Sequence, residues 1–159
     1  MSKAVQPIPE GYHTVTPYLA VSNAQEALDF YRRAFGAAEV VRMDGPDGKI
    51  GHAEVQIGDS RIMLSDEWEE GNHRSPLSYG GTPVSIHLYV PDVDKAVADA
   101  VTAGATLRDA VEDKFYGDRM GTLVDPFGHV WFVSTHVEDL TEDEIRQRAE
   151  AYMAQMAAG

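Results

Sequence analysis

Two stretches of this chain carry the same pattern, 69 positions apart. Thr16-Pro17-Tyr18-Leu19-Ala20-Val21 falls on Ser85-Ile86-His87-Leu88-Tyr89-Val90. At that offset Ala24 falls on Val93, Ala27 on Ala96 and Leu28 on Val97; with one residue dropped, Gly36-Ala37 falls on Gly104-Ala105. Each copy reads strand, helix, glycine stop, further strands. A duplicated unit that contains strands is expected to build one shared sheet with a cleft between the copies, and that cleft is where function is sought. The pattern predicts an α+β fold of two tandem β-α-β-β-β modules.

The details follow local rules. Thr14 to Val21 alternates and is rich in β-branched residues, as a strand does. Asn23, with Glu26 three residues on, opens a helix that Gly36 stops. Strands are expected over Glu39–Met43, Lys49–Ile57 and Arg61–Ser65, with turns at 44–48 and Gly58-Asp59. The second copy repeats this order, with strands at Val84–Val90, Leu107–Val111, Met120–Val124 and His129–Ser134 and a helix over Val93–Ala103. Thr141 and Glu144 form a capping box for a last helix whose Ile145, Arg148, Ala149, Tyr152, Met153 and Met156 share one side. The organisation is a single domain over 1–159: module one about 12–66, a joint and candidate flap at 67–83, module two about 84–136, and the C-terminal helix about 141–157. Residues 1–11 read as a loose lead-in.

At 159 residues and a formal net charge of −13, the chain is one ordinary domain whose surface repels nucleic acid and anionic membrane. Neither is expected as a partner. The absence of cysteine removes disulfides, thiolate nucleophiles and cysteine metal sites. With no apolar leader at the start, a cytoplasmic location is expected. No stretch approaches the ~18 apolar residues of a membrane helix.

Strand alternation sorts the side chains into two faces. Val15, Pro17, Leu19 and Val21, with Val84, Ile86, Leu88 and Val90, make an apolar set expected under the helices. Thr16, Tyr18 and Ala20, with Ser85, His87 and Tyr89, face the cleft. His52, Glu54 and Gln56 share a face opposite Ala53, Val55 and Ile57. Ile62 and Leu64, with Trp131 and Val133, pack on the helices; Arg61, Met63 and Ser65, with Val130, Phe132 and Ser134, face the cleft.

The tandem pattern resembles the vicinal oxygen chelate superfamily, which includes glyoxalase I, extradiol dioxygenases and bleomycin-resistance proteins. The strings Thr16-Pro17-Tyr18-Leu19, Phe30-Tyr31-Arg32-Arg33-Ala34-Phe35-Gly36-Ala37, Tyr116-Gly117-Asp118-Arg119 and Asp125-Pro126-Phe127-Gly128-His129-Val130-Trp131 are similar to its PhnB-like branch. The resemblance implies a cleft that takes a small molecule, and a homodimer. Metal-using members draw one ligand from the first and one from the last strand of each module. Those positions are Thr16, Met63, Ser85 and Phe132 here, none of them a usual ligand for nickel, zinc, manganese or iron.

The resemblance therefore implies a metal-free binding protein that sequesters a small, largely apolar ligand. The alternative is a lyase, isomerase or related enzyme using His52, Glu54 and His87 as acid–base groups or as a displaced divalent metal site; the two histidines can equally be hydrogen-bonded without chemistry. The expected ligand contacts are Thr16, Tyr18, His52, Glu54, Met63, Ser85, His87, Tyr89, Tyr116, Arg119 and Phe132. Arg119 serves either an anionic ligand or a neighbouring acid such as Asp118. His129 is read as structural, and His13, His73 and His136 join no constellation.

Overall fold

The structure, a computed structural model, describes residues 5–159. Its elements are β1 (Tyr18–Val21), α1 (Ala24–Phe35), β2 (Ala38–Asp44), β3 (Ile50–Ile57), β4 (Ser60–Asp66), α2 (Pro76–Tyr79), β5 (Ser85–Tyr89), α3 (Val93–Ala103), β6 (Thr106–Asp113), β7 (Asp118–Val124), β8 (Val130–His136) and α4 (Glu142–Ala158). This is the tandem β-α-β-β-β pattern with a C-terminal helix, an α+β fold. The copies do not share one sheet, contrary to the expectation from the repeat. Each forms its own four strands, in the order β1-β4-β3-β2 and β5-β8-β7-β6. In each, the first strand pairs in parallel with the last strand of its own copy, and the other pairs are antiparallel. The crossover through the helix thus closes within one copy. Two compact units result: unit 1 runs up to Pro83 and takes in Pro126–Gly128, and unit 2 holds Val84–Asp125 and His129–Gly159.

The offset of 69 persists in the register. Tyr18 pairs with Met63 and His87 with Phe132; Leu19 pairs with Leu64 and Leu88 with Val133. It persists in the caps as well. Asn23 Oδ1 accepts the Glu26 N–H at 3.1 Å, and Asp92 Oδ1 accepts that of Lys95 at 3.0 Å. Both satisfy amide groups that a helix start leaves without partners. Gly36 closes α1 at φ 66°, a left-handed conformation costly for residues with a Cβ.

The cores follow the alternation. Ala53, Val55, Ile57, Ile62 and Leu64 are buried in the unit 1 sheet, with Ala27, Leu28, Phe30 and Tyr31 of α1. Phe127, in the segment that belongs to unit 1, is buried edge-on to Phe30 and Tyr31. Unit 2 buries Leu123, Trp131 and Val133 with Val93, Val97 and Ala100. Each large apolar side chain removed from water stabilises the fold by about 1.5–3 kcal/mol.

Two expectations fail at the strand starts. Val15 is 83% exposed and Val84 67% exposed, so neither belongs to the core. β1 begins only at Tyr18, because Pro17 has no N–H to give; its carbonyl accepts from Met63 N at 2.9 Å and the ladder ends there. β5 likewise begins at Ser85, one residue after Val84.

Residues 5–11 of the expected lead-in form no helix or strand, and residues 1–4 lie outside the described residues. The joint carries a Trp68–His73 bridge and the short helix α2, which the sequence reading did not anticipate. Glu67 orders it by accepting from Ser75 N and Ser78 Oγ, and those bonds hold its carboxyl below the usual range. The box at α4 is complete: Thr141 and Glu144 cap each other reciprocally. Arg148 holds α4 to its unit through two bonds to Glu138, at 2.8 and 2.7 Å, and Tyr152 lies against Phe115. Met153 and Met156 remain 70% and 69% exposed. Among the described residues no helix is long and apolar enough to cross a membrane.

Candidate functional site

Met63 is the register partner of both Tyr18 on β1 and Glu54 on β3. The row Tyr18–Met63–Glu54 therefore crosses three strands of the unit 1 sheet, and its side chains take the face opposite Leu64 and Val55. His52 sits two residues before Glu54 on the same face of β3. Tyr18 Oη lies 2.8 Å from His52 Nδ1, and His52 Nε2 lies 2.9 Å from Glu54 Oε1. Glu54 as a carboxylate offers only lone pairs, so the network assigns the ring proton to Nε2. Nδ1 then accepts from the Tyr18 phenol. The three side chains form one directed chain, phenol to imidazole to carboxylate, in which the carboxylate fixes the tautomer.

The chain ends in a buried group. Glu54 is only 8% exposed, and its second oxygen, Oε2, has no hydrogen-bond partner. Arg61 Nη1 stands 3.9 Å away, within ionic reach but beyond a hydrogen bond. Arg61 is held in place by Gln56, which accepts from its Nε at 3.1 Å, and by the Tyr12 ring, 4.6 Å from the guanidinium.

Two pockets flank this chain, both within unit 1. One, of about 350 Å³, is lined by Glu54, Met63, Thr14, Thr16, His13 and Tyr12, together with Pro7–Pro9. The other, of about 330 Å³, is lined by Tyr18, Gly51, Ser65, Trp68 and His73. The His73 ring meets Tyr18 edge-on at 5.3 Å. Sequence reasoning gave no role to Tyr12, Trp68 or His73, since they lie in segments without periodicity.

Unit 2 carries a different set at matching positions. Phe132 pairs with both His87 and Thr122, so Thr122 stands where Glu54 stands in unit 1. His87 stacks on Tyr89 at 4.7 Å, meets Phe132 edge-on at 6.1 Å, and shares a 2.8 Å hydrogen bond with Ser134 Oγ. Tyr89 donates to the buried Asp118 at 2.8 Å, which raises the phenol's pKa. His136 places Nδ1 2.8 Å from Asp118 and Nε2 2.9 Å from Asp139. Two carboxylates on the two ring nitrogens favour the imidazolium, so its pKa lies above the ordinary histidine value.

The remaining expected site residues have other surroundings, Tyr116 excepted, which stands near Tyr89 and Asp118. Ser85 is exposed at the start of β5. Tyr116 is half-buried, its hydroxyl 3.5 Å from Met120 Sδ, and burial raises its pKa. Arg119 is bound by Asp94 through Nε and Nη2 at 2.8 and 2.9 Å and by Asp113 at 3.1 Å, not by Asp118. These contacts raise the Arg119 pKa further and take three of its five N–H donors.

The fold's metal positions can be tested against the donors present. Unit 1 offers Thr16 and Met63 there, and unit 2 offers Ser85 and Phe132. A phenyl ring donates nothing, a thioether suits soft ions, and a neutral hydroxyl is a weak ligand. The nearby pair His52 and Glu54 is bonded to itself. Among the described residues no group of three His, Cys, Asp or Glu side chains is placed to hold a metal ion. This donor set does not fit a catalytic divalent ion.

The duplicated β-α-β-β-β pattern defines a class. The sequence model of the Glyoxalase/Bleomycin resistance protein/Dioxygenase superfamily matches residues 12–133, and the chain belongs to that family. The Rv0887c protein of Mycobacterium tuberculosis is 45% identical over 135 residues, covering 83% of this chain and 79% of the relative. Among solved structures, TioX from Micromonospora sp. ML1 is similar with a TM-score of 0.64 and 25% identity, covering 79% of this chain and 99% of that one. A PhnB protein from Bacillus cereus shares the fold at a TM-score of 0.61 and 17% identity, over 77% of this chain and 99% of its own.

Proposed function

We propose that this chain is a metal-free small-molecule binding protein, its site on the open face of the unit 1 sheet around Tyr18, His52, Glu54 and Met63. One observation carries the reading: a hydrogen-bonded Tyr18–His52–Glu54 chain lies between two pockets whose walls mix proline, methionine and aromatic side chains with threonine, serine and histidine. Apolar walls with a few fixed polar groups are what a small-molecule site requires. Thr16 and Met63 at the family's metal positions support binding without an ion. His87, Tyr89 and Phe132 offer unit 2 a smaller aromatic surface for the same purpose. Soaking crystals with an organic fragment library tests the reading. Density is expected against Tyr18, Met63 or Tyr12; a library that leaves this face empty contradicts it.

The same reading includes self-association into a homodimer, supported by the exposed Tyr152, Met153 and Met156 on α4. Light scattering at micromolar concentration checks it. A cysteine-free chain suits a reducing cytoplasm.

A second reading, an enzyme that moves a proton, is favoured by the direction of the chain itself. A phenol hydrogen-bonded to an imidazole that is oriented by a carboxylate is a competent acid–base group. Under this reading turnover of a substrate falls with both His52→Ala and Glu54→Gln, and hardly changes with His87→Ala.

A further inference from the structure

Glu54 presents an unresolved polar demand. Its side chain is nine-tenths buried, Oε1 is taken by His52, and Oε2 has no hydrogen bond. A buried carboxylate oxygen left without a donor is costly, more so than a neutral acceptor. The nearest cation does not meet the demand, because Arg61 stays 3.9 Å away, fixed on Gln56 and Tyr12. Glu54 is also the one carboxylate among the residues lining the pocket of about 350 Å³, whose other walls are Pro7, Ile8, Pro9, Tyr12, His13, Thr14, Thr16 and Met63.

Resting on the binding reading above, we propose that Glu54 Oε2, closed to solvent in the unliganded chain, becomes the polar anchor of this pocket when a ligand turns the carboxylate into it. The ligand it fits is a small body, apolar over most of its surface, that presents one N–H or O–H donor to that oxygen. A ligand whose polar end is a carboxylate or another anion is rejected, since it would set two acceptors against each other. Glu54 and Arg61 bring opposite charges to the same place, so both a neutral hydroxyl and an ammonium meet the requirement of a donor. The asymmetry between the copies agrees: Thr122, at the matching position of unit 2, carries no charge.

Four probes of one shape test this: benzyl alcohol, benzylammonium, toluene and benzoate. Each is titrated into the full chain while the methyl resonances of Met63 and Thr16 are followed by NMR. Benzyl alcohol or benzylammonium, or both, should shift these methyls saturably, binding about tenfold tighter than toluene and benzoate. Whichever donor binds better reports how far Arg61 offsets the Glu54 charge, and either supports the anchor. Glu54→Leu should bring benzyl alcohol down to the affinity of toluene. Glu54→Gln, which keeps an acceptor oxygen, should retain part of the preference and guards against misfolding of the leucine variant. Toluene binding as well as benzyl alcohol would overturn the anchor and leave the binding site standing. Benzoate binding tightest would also overturn it. If none of the four moves Met63 or Thr16, both the anchor and the pocket fall.

Discussion

Glu54 and Thr122 occupy the same point of the duplicated sheets, each the cross-strand partner of a last-strand residue, Met63 or Phe132, that also pairs with the first strand. One copy places a buried carboxylate there and the other a buried hydroxyl. The repeat has kept its register and divided its chemistry. The directed Tyr18–His52–Glu54 chain belongs to unit 1 alone, because the residues matching Tyr18 and Glu54 are His87 and Thr122.

The tautomer of His52 follows from that chain. Nitrogen-detected NMR should find the proton on Nε2, with Nδ1 accepting from Tyr18. Glu54→Leu removes the acceptor that selects this form, and a mixture of tautomers should appear. A proton resting on Nδ1 in the native chain would contradict the direction drawn for the relay.

A side chain at the exposed Gly11 would meet the guanidinium end of Arg61. The glycine's φ is +84°, and an added Cβ would stand 2.6 Å from Arg61 Nη2. Gly11→Ala must strain the backbone or push Arg61 from Tyr12 and Glu54. Binding of benzyl alcohol in the pocket beside Tyr12 should weaken by about three- to tenfold. Chemical-shift titration against the native chain measures it; unchanged affinity would show that residues 7–12 do not shape the pocket.

Asp66 and Thr135 hold the two helices by the same device. Asp66 Oδ1 accepts the Ala24 N–H at 2.9 Å, and Thr135 Oγ1 accepts the Val93 N–H at 2.9 Å. Each makes a second bond, Asp66 Oδ2 taking the Ile50 N–H at 2.7 Å and Thr135 Oγ1 donating to the Val90 carbonyl at 2.9 Å, and Asp66 is the heavier member because its acceptor is charged. Asp66→Ala leaves two amides without partners and should cost about 2–5 kcal/mol, against roughly 1–3 for Thr135→Val. Urea denaturation of both variants gives the comparison. Equal losses would mean that the charge on Asp66 adds nothing to its two bonds.

His136 should titrate above the ordinary histidine value, because Asp118 and Asp139 hold its protonated ring. Its folded-state value is the raised one, so its contribution to stability is fully present below the unfolded value of about 6.5 and is lost as pH rises through the folded value. Proton NMR of the ring locates the midpoint, and Asp118→Asn should lower it. A midpoint at or below the unfolded value would remove the pairing.

The duplication, the element order apart from α2, and the packed faces of β3, β4 and β8 were legible because periodicity and cap residues are local signals. Alternation alone placed His52 with Glu54 opposite Ala53 and Val55. Val15 and Val84 misled because a β-branched residue next to a strand reads like one within it, and only the Pro17 amide decides where the ladder stops. The role of Arg61 was hidden for another reason: its ring partner Tyr12 lies 49 positions earlier, in a segment with no period. Arg119 shows the same limit, since its partner Asp94 sits on a helix 25 residues before it. Long-range charge pairing leaves no pattern in a single sequence.

The central claim is a small-molecule site that works without an ion, and native mass spectrometry of the untagged chain, produced in medium containing nickel, zinc, manganese and iron, tests it most directly. The account predicts the mass of the protein, alone or with an organic adduct, and no stoichiometric metal. A one-to-one metal adduct that disappears with His52→Ala or Glu54→Gln would contradict it.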